Sequence, residues 1–170
     1  MFIRIKRVYG KKYAYLVKNT WTPKGSRQKV AKYLGSFIEM QDGNPITFAQ
    51  FIGANPEEYF KDKNFKEVTL EALRYELLRR GFNDTETEYS REEIKVSKND
   101  FTSSTLLKMN RGYYCQDTFN ELLSYNGTED PTGKHLARLI LGAGISENED
   151  IFLELFTKSH QDKGDVVIEY

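Results

Sequence analysis

The stretch Met1-Phe-Ile-Arg-Ile-Lys-Arg-Val-Tyr-Gly10-Lys-Lys-Tyr-Ala-Tyr-Leu-Val-Lys18 alternates apolar and polar residues on both sides of a glycine, the pattern of two β-strands joined by a tight turn. With Gly10-Lys11 as the loop, Tyr9 stands opposite Lys12 and the hairpin closes. Trp21 and the Pro23-Lys24-Gly25 turn signal follow in a loop, and Arg27 to Leu34 supplies a third short strand stopped by Gly35. The expectation is a three-stranded antiparallel β-meander over residues 1–36. Alternation then sorts the side chains. Ile3, Ile5, Ala14, Leu16, Val30 and Leu34 fall on a buried face, while Arg4, Lys6, Tyr13, Tyr15, Arg27, Lys29 and Tyr33 fall on the opposite one.

Charge sets this segment apart from the rest of the chain. Residues 1–36 hold ten Lys or Arg and no Asp or Glu, whereas the remaining 134 residues hold 15 basic and 25 acidic ones. A neutral protein is thus a head of charge +10 on a body of charge −10. Such asymmetry speaks about partners rather than fold, and a polyanion is the partner that suits the head. Cations interleaved with aromatic rings suit nucleic acid, because the cations neutralise phosphates while the rings stack on exposed bases. The plainer alternative is a solvated sheet face, which also carries Lys, Arg, Tyr and Thr. The candidate nucleic-acid-binding residues are Arg4, Lys6, Lys11, Lys12, Tyr13, Tyr15, Lys24, Arg27, Lys29 and Tyr33.

Three runs in this head also carry a resemblance: Met1-Phe-Ile-Arg4, Tyr13-Ala-Tyr-Leu-Val17 and Arg27-Gln-Lys-Val-Ala-Lys-Tyr-Leu-Gly35. Together they resemble the amino-terminal segment of certain insertion-sequence DDE transposases, which precedes the catalytic domain, and the resemblance implies a DNA-contacting β module. It covers residues 1–36 only. The chain after Ser36 lacks the strand succession and the alignable acidic triad of the family's ribonuclease-H-like domain, so transposase activity is not implied.

The 170 residues are enough for a real core, and eleven Tyr with eleven Phe supply large packing surfaces. No export signal and no apolar run of membrane-spanning length are present. A single cysteine, Cys115, cannot form an internal disulfide, which suits a cytoplasmic protein.

Beyond the head, Met40-Gln-Asp-Gly-Asn-Pro45 reads as a turn or linker. Thr47 to Ile52 forms a short helical piece, and Asn55 caps another that has Pro56 at its first position. Val68 to Arg80 is an amphipathic helix with Leu70, Leu73, Leu77 and Leu78 on one stripe, Arg79 and Arg80 at its negative end and Gly81 after it. Glu93 to Ser97 alternates as an exposed strand or arm. Phe101 to Leu107 reads as a helix entry, and a clear helix runs from Tyr114 to Tyr125. Pro131 to Leu141 is the most apolar helix, and Ser146 caps a last one with Glu149 at the capping-box position. Asp165 to Tyr170 suits a closing strand.

Sites of catalysis are poorly supported. Residues 136–156 have the outline of a helix-turn-helix, but the second helix begins Ser146-Glu-Asn-Glu-Asp150. Acids there would repel phosphate, so a packed helical hairpin or a protein-binding surface is expected instead. His135 and His160 are the only histidines and have no partners at ligand spacing; the pair Asp117 and Glu121 suits a solvated helix face. Cys115 suits a small buried hydrophobe. No metal, cofactor or phosphate-binding loop is expected.

The expectation is an α+β protein: a basic β-meander (1–36), a linker with short helices (37–63) and an acidic, mainly helical body (64–170). Its function would be non-enzymatic binding of DNA or RNA through residues 1–36. The alternative is a protein interaction module or adaptor that uses, or self-associates through, the acidic body.

Overall fold

Three alternating strands form at the amino terminus as the pattern requires: β1 (Phe2–Val8), β2 (Lys11–Thr22) and β3 (Gly25–Glu39). The computed structural model describes residues 1–41, 43, 45–82, 87–89, 94–96 and 105–161. The meander is antiparallel, but it does not end at Ser36. The last residues of β3 pair in parallel with β6 (Thr105–Met109), and β6 pairs antiparallel with β7 (Gly112–Tyr114). The result is one five-stranded mixed sheet in the order β1-β2-β3-β6-β7. A parallel pair needs a long crossover. Here it carries α1 (Phe48–Ile52), α2 (Pro56–Phe60), α3 (Phe65–Arg79) and a separate two-stranded ladder of β4 (Thr87–Tyr89) with β5 (Ile94–Val96). After β7 come α4 (Gln116–Leu123), a 3₁₀ turn at Gly127–Glu129, α5 (Lys134–Gly142) and α6 (Glu149–Gln161).

Several helix boundaries follow local chemistry. Thr47 and Gln50 form a reciprocal capping box on α1, and the Asn55 side chain accepts from the Glu57 amide with Pro56 in the first turn of α2. A second capping box, Asn64 with Glu67, starts α3 three residues before the expected Val68. The buried side of α3 is also wider than a leucine stripe. Val68, Ala72 and Tyr75 enter a helical core with Phe48, Phe60, Leu122, Leu136, Ile140, Ile151 and Leu155. Leu73 and Leu77 enter a second core with Leu107, Met109, Tyr114 and Phe119.

Other expectations are corrected. The run ending at Leu107 is read from sequence as a helix entry, yet 105–109 is a strand; 101–104 lies outside the described residues, as does the 165–170 run. Tyr114 belongs to β7 and Cys115 is the N-cap of α4, buried, with its amide donating to Thr118 Oγ1 at 3.1 Å. For α6, Asn148 rather than Ser146 supplies the cap, accepting from the Ile151 amide at 3.0 Å. Asp130 holds the start of α5: its Oδ2 accepts from the amides of His135 (2.7 Å) and Leu136 (3.1 Å) and from the Tyr125 hydroxyl (3.1 Å). Burial, then the bond and charge of Asp130, push the Tyr125 phenol up to about 12.

The third core crosses the sheet–body junction. Ala14, Leu34 and Phe37 pack with Leu106 and Cys115, and Ile3, Ile5, Leu16 and Tyr113 close around them. Leu106 and Leu107 are successive residues of β6 and join different cores. That strand is therefore buried on both faces, as an inner strand of a mixed sheet should be.

A buried polar cluster joins the body together. Glu76 of α3 is fully buried, and its Oε2 accepts from Arg80 Nη1 at 2.5 Å and Asn110 Nδ2 at 3.1 Å, while Oε1 accepts from the Ser146 amide at 2.8 Å. Arg80 Nη2 donates to Asn110 Oδ1 at 2.7 Å, and Asn110 Nδ2 also donates to the Gly144 carbonyl at 2.8 Å. Arg80 is thus far more than a cation at a helix end. Asn110 lies in the β6–β7 turn with φ 49°, and Gly112 after it has no room for a side chain, since an added Cβ would come within 1.8 Å of the Leu141 carbonyl oxygen.

Burial alone would raise the Glu76 carboxyl, but the bonds from Ser146, Asn110 and Arg80 bring it below its ordinary value of 4.5. A lowered native value means that the stabilisation is complete above about pH 4.5 and is lost as pH falls through the native value. Arg80→Ala strands a buried carboxylate and is expected to cost about 3–5 kcal/mol in urea unfolding at pH 7. The gap in stability between the parent and Glu76→Gln should narrow as the pH drops below the ordinary carboxylate value.

Candidate nucleic-acid interface

The hairpin turn is Tyr9-Gly10, with φ 47° and 80°, and Val8 pairs with Lys11. Sequence places the loop one residue later. A two-residue turn of this hand needs positive φ at both positions, which Gly meets without strain. Moving the loop by one residue moves the pairing by two, so the faces of β1 and β2 are unchanged. Arg4 stands opposite Tyr15, Lys6 opposite Tyr13, Ile3 opposite Leu16 and Ile5 opposite Ala14.

One face gathers three rings. Tyr33 lies 5.3 Å from Tyr15 and 6.3 Å from Tyr13 between centroids, and Lys6 Nζ sits 5.1 Å from the centre of the Tyr15 ring. Arg4 Nη1 donates to Gln28 Oε1 at 2.5 Å on the same side. Partial burial first, then the neighbouring Tyr15 and Tyr13, raise the Tyr33 phenol, so it stays protonated at neutral pH. Tyr33 is nevertheless half exposed, which leaves ring surface open to a ligand.

The rest of the expected face is divided by β3. Two irregularities in the β2–β3 ladder, between Ala14 and Tyr15 and between Leu16 and Val17, insert Leu34 and Ala31 as extra residues. Each insertion reverses the alternation of β3 relative to β2. Leu34 reaches the core as expected, but Val30 pairs with Val17 on the tyrosine side and is 47% exposed. Lys29 pairs with Lys18 and Arg27 with Thr20, so both stand on the face opposite Tyr13, Tyr15 and Tyr33. The single face of cations and rings expected from sequence is therefore two faces: Arg4, Lys6 and Lys11 with the tyrosines, and Lys12, Lys18, Arg27, Lys29 and Lys32 on the other side.

β2 is longer than its alternation suggests, running through Trp21 to Thr22, and it outlasts its neighbour. The last pair made by β1 is Phe2 with Val17. From Lys18 to Lys29, among the described residues, only two strands continue, paired Lys18–Lys29, Asn19–Gln28, Thr20–Arg27, Trp21–Ser26 and Thr22–Gly25, with Pro23-Lys24 at the tip. All of these positions are exposed except Thr22 and Gly25, which are partly so; Trp21, the chain's one tryptophan, is 83% exposed. This ribbon is the feature sequence reasoning missed. Its signal is the acid-free, β-favouring run Thr20-Trp21-Thr22, which the Pro23 turn cue places in a loop.

The body neutralises the head sparingly. Lys12 reaches Glu39 at 3.8 Å, an acid already bound by Lys108, and Lys32 reaches Asp117 at 2.7 Å. Among the described residues no carboxylate pairs with Lys11, Lys18, Lys24, Arg27 or Lys29. Like charges directly opposite on paired strands are unfavourable, and Lys18–Lys29 is such a pair with Arg27 beside it. The site residues thus separate into paired with an acid (Lys12), bonded to Gln28 (Arg4), ring-associated (Lys6, Tyr13, Tyr15, Tyr33) and uncompensated among the described residues (Lys11, Lys24, Arg27, Lys29). No family model, curated protein or solved structure matches the chain.

Reversing one charge of the directly opposed Lys18–Lys29 pair should relieve the repulsion between them. Lys29→Glu is expected to stabilise the free protein by roughly 0.2–1 kcal/mol in urea unfolding at low salt, with the gain shrinking at high salt. No gain at low salt would mean that the two ammonium groups do not interact.

Proposed function

We propose that this chain is a non-enzymatic nucleic-acid-binding protein that contacts phosphates, and bases where they are unpaired, through its amino-terminal sheet. The observation that carries the reading is the set of cations left uncompensated on an exposed β element while 25 acidic residues lie elsewhere in the chain. Such an arrangement costs the free protein stability, and a polyanion offsets that cost by releasing counterions. The Tyr13–Tyr15–Tyr33 cluster with Arg4 and Lys6 offers stacking surface beside charge. The resemblance of residues 1–36 to the amino-terminal segment of insertion-sequence DDE transposases supports the same reading. The lone cysteine, buried at the start of α4, suits a cytoplasmic setting.

A second reading rests on the cleft of about 420 Å³ between α5 and α6, lined by Ala137, Ile140, Leu141 and Phe152 and edged by Glu147 and Glu149. An apolar floor with an acidic edge suits a basic amphipathic segment of a protein partner. Salt titration separates the two.

Binding of labelled DNA and RNA should weaken with log salt at about 0.9 per phosphate contacted on duplex DNA, and Arg4→Gln with Lys6→Gln should reduce that slope. Tyr13→Leu with Tyr15→Leu should weaken single-strand binding by about 1–3 kcal/mol per stacked base and leave duplex binding nearly unchanged. Failure of the parent chain to bind any nucleic acid at low salt gives the α5–α6 reading first place.

A further inference from the structure

We infer that the two-stranded ribbon of residues 18–29 enters the major groove of duplex DNA, with the face bearing Lys18, Thr20, Arg27 and Lys29 turned toward the bases and flanking phosphates. The inference rests on the nucleic-acid reading above and adds which element makes the contact and which nucleic acid it fits.

Two features of the ribbon's shape fit a groove. Among the described residues the ribbon runs past the last pair made by β1, and although Arg4 bonds Gln28 on one face, the opposite face with Lys18, Thr20, Arg27 and Lys29 is exposed and open to a ligand. Five residue pairs at about 3.4 Å per residue give a rod of roughly 17 Å, which matches about five base pairs of axial rise. The major groove of B-form DNA, about 12 Å wide, admits a two-stranded ribbon. In A-form RNA that groove is too deep and narrow for side chains to read.

Chemistry agrees with shape. Lys18 and Lys29 are directly paired, Arg27 is two residues from Lys29 on the same face, and among the described residues no carboxylate reaches any of them. Three cations held side by side without a counter-charge form a ready site for phosphates. Among the ribbon's other side chains, Asn19, Thr20, Thr22 and Ser26 are uncharged and polar, and groups of this kind donate and accept hydrogen bonds at base edges without repelling the backbone. On the flat sheet face, by contrast, Lys6 already lies over the Tyr15 ring and Arg4 is bonded to Gln28. The same alternation turns Arg4 and Lys6 away from the Lys18–Lys29 side, so the two contacts can be tested apart.

The test uses the full chain and three probes of one mixed sequence about two helical turns long: a DNA duplex, the matching RNA duplex and a DNA single strand. Anisotropy of the labelled probe reads binding. The parent chain is expected to prefer the DNA duplex over the RNA duplex by about tenfold or more. Methyl green, a major-groove ligand, should displace it, and the minor-groove ligand netropsin should not. The triple variant Lys18→Gln, Arg27→Gln and Lys29→Gln, checked for retained fold by circular dichroism, should flatten the log salt slope on duplex DNA by about 2.7, at roughly 0.9 per cation. Equal affinity for the RNA duplex, or displacement by netropsin and not by methyl green, overturns the inference with no variant involved. Unchanged binding by the triple variant together with loss in Arg4→Gln, Lys6→Gln also overturns it, leaving the sheet face as the contact and the general reading intact. A parent chain that binds none of the three probes overturns both.

Discussion

The buried contact of Glu76 with Arg80, Asn110 and the Ser146 amide is the constraint on which the rest of the arrangement depends. It joins three places far apart in sequence: the end of α3, the β6–β7 turn and the corner between α5 and α6. Because Asn110 closes the β6–β7 hairpin, the contact fixes the strand with which β3 pairs. β3 continues from Gly25 to Glu39 through the two bulges at Leu34 and Ala31, so its outer half carries the ribbon in a direction set by its inner half and by those bulges. A carboxylate buried in the helical body therefore governs how the basic ribbon is presented.

Much of this was legible in the sequence and some was not, for identifiable reasons. Alternation is a local signal, so β1, the core half of β2 and the sorting of Ile3, Ile5, Ala14 and Leu16 against Arg4, Lys6, Tyr13 and Tyr15 follow from it. Capping chemistry is equally local, which is why Asn55 and Pro56 fall where expected. The extra residues Leu34 and Ala31 leave no mark in composition, since a bulge depends on how two strands match rather than on either alone. They are why Val30, Arg27 and Lys29 changed sides. β6 was hidden for a related reason: Thr105-Leu-Leu has no period of its own and becomes a strand by pairing with β3. Arg80 and Ser146 read locally as helix-end residues, whereas Asn110 and Glu76, their respective partners, lie 30 and 70 residues from them.

Charge and stability pull in opposite directions here. The body holds a large excess of acid, yet among the described residues only Glu39 and Asp117 reach cations of residues 1–36. Both lie at the base of the sheet, so neutralisation occurs where the fold needs support and stops where the ribbon begins. Exposed ion pairs of this kind contribute at most about 1 kcal/mol each. The union of sheet and body thus relies on the apolar contacts of Ala14, Leu34 and Phe37 with Leu106 and Cys115, not on attraction between the two charged halves.

The ribbon's open edges carry a further consequence. Among the described residues, one edge of β2 has no paired neighbour from Lys18 to Thr22, and the outer edge of β3 has none before Ser36. Unpaired strand edges invite addition of a strand from another molecule, and closely set lysines and arginines are a recognised barrier to it. Lys18, Arg27 and Lys29 therefore act on the chain's behaviour before any ligand arrives, because two approaching ribbons meet as like charges. High salt weakens that barrier by screening, so self-association at high ionic strength is built into the same residues.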